Sequence, residues 1–271
     1  TKIENISLYV SGHNTLVSNT ICDQLNKLNI KTLTLLHGGT VDSFKNSFFW
    51  PALNFSRLAN KKKSFFQVYS SHQRKGVTQK NKEFSVTIPE NNYLEFYNKD
   101  FKKLTKVKKK LNNQKIIICY SVQQEIGTLQ SKLCRINDSY KLYLQRNYFI
   151  KSILSLKNFK ILVSSYKETP KSLIFDKEII EKYKNKNQLK IEHFNIINLL
   201  KQSRIAIFEH PSTSYIEALF LDIAIIILIN NPKWDFKPEQ KILLSKRVYF
   251  VDNFDEIIPI IKNHKSDKKK N

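Results

Sequence analysis

Apolar residues open the chain as a run from Ile6 to Val10 that stops at Ser11-Gly12, then recur at helical spacing through Leu16, Val17, Ile21, Leu25 and Leu28. A second run follows from Leu33 to Leu36. Short apolar runs bounded by turn residues predict strands, and the wider spacing between them predicts an amphipathic helix, so the chain begins strand, helix, strand. The second run closes in His37-Gly38-Gly39, where two glycines allow a turn at the carboxyl end of a strand. Open α/β sheets collect their ligands at that edge.

The pattern weakens from residue 43 to 112, which holds Phe48-Phe49-Trp50-Pro51, a basic stretch at Lys61-Lys62-Lys63 and a short alternating piece from Phe84 to Ile88. A lysine-dense helical pattern from Asp100 to Leu111 then gives way to Ile116-Ile117-Ile118-Cys119-Tyr120, which reads as a buried strand opening a second domain. Beyond it the spacing predicts a long helix from Ser139 to Leu156, a strand from Lys160 to Ser164 and a helix from Lys177 to Tyr183. A strand from Leu189 to Glu192 follows, then a short helix that Asn195 can cap, a strand from Ile205 to Phe208, a helix from Ser214 to Leu221 and a strand from Ala224 to Ile229. Alternation of strand and helix with short connections specifies a parallel sheet with right-handed crossovers. The expected fold is therefore α/β in two domains, residues 1–112 and 113–262, with a disordered basic tail over 263–271.

Length agrees with two domains: 271 residues suffice to bury two ordinary cores. No apolar run approaches the roughly 20 residues that span a bilayer. The chain starts at Thr1 and contains no Met, so a processed or fragmentary start is expected, with an N-terminal domain short of some strands. Cys22, Cys119 and Cys134 are odd in number and far apart, which argues against a disulfide framework or a paired-Cys zinc site and points to a reducing cytoplasm. Lys and Arg outnumber Asp and Glu by 46 to 23, for a net charge of +23. Such a balance suits phosphate-bearing ligands, anionic membrane or nucleic acid, yet the lysines are scattered and travel with Asn and Ile, as in an AT-biased genome.

Candidate chemistry concentrates in Glu209-His210-Pro211-Ser212-Thr213-Ser214-Tyr215-Ile216-Glu217-Ala218-Leu219, at the passage from strand to helix. N–H groups and hydroxyls at a helix start suit phosphate, and Glu217, one turn in, can reach ribose hydroxyls. Ser214 and Glu217 also fit a capping box, and both roles stay open on pattern. His210 can orient the loop or contact the donor. His37 is the candidate base for an acceptor hydroxyl, because histidine titrates near neutrality. Gly38, Gly39 and Lys167 are further candidates for acceptor or phosphate contact. The sequence holds no Asp-x-Asp element, dinucleotide-binding glycine fingerprint, phosphate loop or nucleophile elbow, so transfer without a metal or a resident cofactor is expected.

The order of elements over residues 189–251 resembles the C-terminal domain of two-Rossmann-domain (GT-B) transferases. More narrowly, Ser212-Thr213-Ser214-Tyr215-Ile216-Glu217-Ala218-Leu219, the strand from Ala224 and Pro232-Lys233-Trp234 resemble a family of transferases from bacterial surface-polysaccharide gene clusters. That family carries Ser/Thr-Thr-x-x-Glu-Ala-Leu, an apolar strand and a Trp-bearing loop, and His37-Gly38-Gly39 is similar to its His-Gly-Gly element. It is close in kind to the CDP-glycerol glycerophosphotransferases. The resemblance implies two Rossmann-like domains and a nucleotide-sugar donor whose phosphates lie on Ser212 to Ser214 and whose ribose or sugar lies on Glu217. It implies a glycan or lipid-linked acceptor near His37; with such an acceptor the lysine excess suggests peripheral contact with the anionic inner face of the plasma membrane, and without a recognised nucleic-acid-binding motif a nucleic-acid partner is not expected. Competing readings are a CDP-polyol phosphotransferase, a basic nucleic-acid-binding protein and an inactive scaffold.

Overall fold

The computed structural model describes residues 8–11, 16–35, 64–67, 85–87, 116–122, 139–156, 158–165, 171, 174–193, 196–211, 213–229 and 235–264. The chain divides into two compact units, residues 1–103 and 104–271. The boundary expected near Asn112-Asn113 lies outside the described residues.

The first unit contains strand β1 (Leu8–Ser11), helix α1 (Leu16–Lys27), and strands β2 (Lys31–Leu35), β3 (Ser64–Gln67) and β4 (Ser85–Thr87). They form a parallel sheet in the order β1-β2-β3-β4, with Leu8 opposite Lys31, Thr32 opposite Ser64 and Phe65 opposite Ser85. The opening strand-helix-strand pattern is thus realised. The alternating piece near Phe84 supplies β4, while β3 sits where the pattern indicated nothing. Two residues past the end of α1, Asn29 takes a left-handed φ of 65°, which lets the N–H of Ile30 reach the carbonyl of Leu25 at 2.9 Å and the N–H of Asn29 that of Asn26 at 3.1 Å. These paired bonds satisfy carbonyls that the helix end would otherwise leave open.

The second unit contains β5 (Ile116–Ser121), α2 (Ser139–Leu154), β6 (Phe159–Ser165), α3 (Lys177–Asn185), β7 (Leu189–His193), α4 (Ile196–Gln202) and β8 (Ile205–Phe208). It continues with α5 (Thr213–Leu219), β9 (Ala224–Leu228), α6 (Pro238–Leu244), β10 (Val248–Val251) and α7 (Ile257–His264). Six parallel strands lie in the order β10-β9-β8-β5-β6-β7. Numbered within the unit this is 3-2-1-4-5-6 reversed, the strand order of doubly wound sheets. The α/β class and the parallel sheet expected from strand-helix alternation are both present.

Both faces of this sheet are buried, which is why its central strands are apolar at consecutive positions and do not alternate. One face, with Ile118, Tyr120, Ile161, Val163, Ile205, Ile207, Ile226 and Leu228, packs with Leu142, Phe149, Ile150 and Ile153 of α2 and with Phe254, Ile257 and Ile261 at the C-terminal end. The intervening residues Cys119, Leu162, Ala206, Phe208, Ile225 and Ile227 are also buried, as are Leu199 and Leu200 of α4 and Tyr215 and Ala218 of α5. Each fully buried Ile or Phe contributes about 1.5–3 kcal/mol by leaving water. Helix α3 ends like α1: Asn187, at φ 51°, lets the N–H of Gln188 reach the carbonyl of Tyr183 at 3.0 Å.

Candidate functional site

Strands β5 and β8 are neighbours, yet β5 leads to β6 on one side of the sheet and β8 leads to β9 on the other. Connections that depart in opposite directions leave a crevice beyond the carboxyl ends of the two strands. The residues at those ends are Ser121 and Val122 on β5, and Phe208, Glu209 and His210 on β8. The N–H of Glu209 donates to the Ser121 carbonyl at 3.2 Å, which extends the pairing of the two strands to that edge.

Beneath the edge lies a buried polar network. Helix α2 presents Leu142, Arg146, Phe149, Ile150 and Ile153 to the core, so a guanidinium falls on an otherwise apolar stripe. Arg146 Nε donates to Glu209 Oε1 at 2.6 Å and Nη2 to Oε2 at 2.5 Å, with the two side chains 1% and 0% exposed. The Tyr120 hydroxyl also donates to Oε1. A buried carboxylate is tolerated because the two-pronged guanidinium and the phenol replace the water it has lost. Burial pushes the Tyr120 phenol well above its ordinary range, the charge of Glu209 pushes it further, and Arg146 pulls the other way.

His210 follows directly. Burial lowers its pKa from 6.5 to about 4, with Glu209 opposing that shift and Arg146 adding to it. At neutral pH the imidazole is therefore uncharged, with hydrogen-bonding capacity but no positive charge. Helix α5 then starts at Thr213, two residues before Tyr215, which stacks edge-on to Phe236 with ring centres 5.9 Å apart. Tyr215 and Ala218 turn inward, whereas Ser214 and Glu217 are half-buried. Oε2 of Glu217 is shielded from solvent.

The helix start corrects one expectation. A capping box joins the residue before the helix to its third helical residue. Ser214 is the second residue of α5 and Glu217 the fifth, so these two are out of register for that motif. His210, Ser214 and Glu217 are brought onto one short segment at the carboxyl end of β8, together with the backbone of Thr213. Ser212, His37, Gly38, Gly39 and Lys167 lie outside the described residues.

Two further features of this edge escaped sequence reasoning. Ser165 at the end of β6 and His193 at the end of β7 share a hydrogen bond of 3.1 Å between Oγ and Nδ1. On the flank of α2, Tyr143 donates to Asp176 Oδ1 at 2.5 Å, while Asn147 accepts from the Asp176 N–H at 2.8 Å, fixing the start of α3. The Asp176 bond chiefly raises the Tyr143 phenol above its ordinary range. The Arg146 network had a legible signal, a charged residue in phase with an apolar helical stripe, which requires a buried partner. Among the described residues no group of three or more His, Cys, Asp and Glu side chains is placed to hold a metal ion. No described helix is long and apolar enough to cross a membrane.

Residues 91–246 match the family described as LIC12162 family transferase. The matched stretch contains Arg146, Glu209 and the whole His210 to Glu217 segment, and it leaves out His37-Gly38-Gly39. No curated protein matches the chain. With more than half of its length matched, the chain belongs to the LIC12162 family of transferases.

Proposed function

We propose that this transferase moves a sugar from a nucleotide-sugar donor to a surface polysaccharide or lipid-linked glycan, without a metal, on a GT-B arrangement of two Rossmann-like domains. One observation carries the reading: the His210 to Glu217 segment leaves β8 at the point where the strand order of the sheet reverses, inside the stretch that matches a transferase family. Ligands of doubly wound sheets occupy that crevice.

In this reading Ser212, Thr213 and Ser214 hold the donor phosphates through hydroxyl and N–H groups, Glu217 accepts hydrogen bonds from ribose or sugar hydroxyls, and neutral His210 adds a hydrogen bond. Lys167, after β6, meets a phosphate. His37, beside Gly38 and Gly39, takes the proton of the acceptor hydroxyl. The acceptor oxygen bonds to the anomeric carbon as the bond from that carbon to the nucleoside diphosphate breaks. Fixed donors around the departing diphosphate stabilise the charge that develops there. The net charge of +23 supports work in the cytoplasm at the anionic inner face of the plasma membrane.

The test is a thermal-shift panel of UDP, CDP and GDP, their sugar conjugates and CDP-glycerol, since a ligand of the folded state raises its melting temperature. A shift by one nucleotide and its sugar conjugate supports the reading. A shift by CDP-glycerol and not by the sugar conjugates makes the protein a polyol phosphotransferase. No shift at all overturns donor binding.

A further inference from the structure

Burying an ion pair rarely serves stability better than apolar residues of the same volume would. Arg146 and Glu209 are nevertheless both removed from solvent, and with Tyr120 they join three elements that are distant in sequence: α2, β5 and the end of β8. The Glu209 carboxylate receives hydrogen bonds from both prongs of the guanidinium and from the phenol. Its backbone N–H is fixed as well, on the Ser121 carbonyl of β5. Side chain and main chain of this residue are thus held from independent directions, immediately before the connection that runs from His210 into α5. A guanidinium forked onto a carboxylate fixes orientation as well as distance, which a lysine in its place would not.

We propose that Arg146 and Tyr120 are positioning residues for the donor site. Acting through Glu209, they fix the carboxyl end of β8 and the His210 that follows it, so that His210 and the Glu217 carboxylate meet a nucleoside diphosphate already in place. The inference rests on the donor reading above for its ligand, and on the buried network for its mechanism. A connection ordered in advance spares the ligand the cost of ordering it.

Two variants separate positioning from bulk stability. Arg146→Lys keeps a positive charge and loses the fork. Tyr120→Phe/Arg146→Met/Glu209→Leu replaces the whole network by apolar groups of similar size, which preserves packing. Amide hydrogen exchange of the ligand-free chain is followed in the peptide 209–219 and in peptides covering β6 and β9, with calorimetric affinities for UDP, CDP and GDP measured alongside. In both variants exchange over 209–219 is expected to quicken about tenfold or more while β6 and β9 stay within about twofold of the parent protein. Affinity for whichever nucleotide the parent binds falls about tenfold with it. Unchanged exchange over 209–219, or a rise in step with the whole sheet, overturns the proposal. If the parent protein binds none of the three nucleotides, the donor reading fails, and the exchange pattern alone decides whether the network positions the connection. Should either variant fail to fold, Tyr120→Phe, which removes one hydrogen bond and leaves the fork, gives the same comparison with the same two outcomes.

Discussion

Arg146 and Glu209 meet as a fork, Nε to Oε1 at 2.6 Å and Nη2 to Oε2 at 2.5 Å, with neither charge reaching solvent. A charge so placed is costly to abandon. Arg146→Met takes the guanidinium fork away from a carboxylate that is closed to solvent, and is expected to lower unfolding free energy by about 3–5 kcal/mol. Arg146→Met/Glu209→Leu, which removes both charges, should lie within about 1–2 kcal/mol of the parent. Urea titrations of the two variants check this, and equal losses in both would contradict the account.

His210 predicts a definite pH dependence. Its folded-state pKa of about 4 lies below the ordinary 6.5, so between these values the unfolded chain binds a proton that the folded chain refuses. The resulting stability is present above about pH 6.5 and is lost as pH falls toward 4. Melting temperatures of the parent and of His210→Gln, measured from pH 7.5 down to 4.5, should differ by a constant amount above pH 7 and change in favour of the variant below it. A difference that stays constant across the whole window refutes the assignment.

Asn187 supplies the left-handed residue that ends α3. Asn187→Gly should be close to neutral, since glycine adopts that conformation freely, even though the contact of its side chain with Lys160 is lost. Asn187→Ala should cost about 1–2 kcal/mol, because a Cβ without a compensating amide is disfavoured there. Chemical denaturation of the pair decides it, and equal stabilities would contradict the geometry.

Much of the second unit was legible because its strands are apolar on both faces. Ile116 to Tyr120 and Ala224 to Leu228 could be neither loop nor surface helix, and each lies in the sheet as expected. Helix α6 was not legible: Ile242 and Leu243 point to solvent and none of its residues is buried, so its apolar positions mark no core face. Strand β3, which is four residues long and directly follows Lys61-Lys62-Lys63, is too short to show a period. At the site, the Ser214–Glu217 spacing could be read as a cap or as a ligand contact, and only the helix start at Thr213 removes the cap. Glu209 was visible in the sequence, but its role depends on Arg146, 63 positions away, which no local pattern connects to it.

That contrast is measurable. Ile207, fully enclosed on β8, should lose about 2–5 kcal/mol on substitution by Ala. Ile242, 70% exposed on α6, should change stability by no more than about 0.5 kcal/mol. A large loss at Ile242 in denaturant titrations would mean that its side chain is covered in solution.

In the proposed function the segment leaving β8 holds a nucleotide-activated donor, with Glu217 on its ribose or sugar. It is tested most directly by isothermal titration calorimetry of the parent protein and Glu217→Gln with the nucleotide sugar that gives the largest thermal shift. Saturable binding by the parent is expected, with an affinity at least about tenfold weaker in Glu217→Gln, equivalent to about 1.4 kcal/mol. Equal affinity in a folded Glu217→Gln, or no binding by the parent, would contradict it.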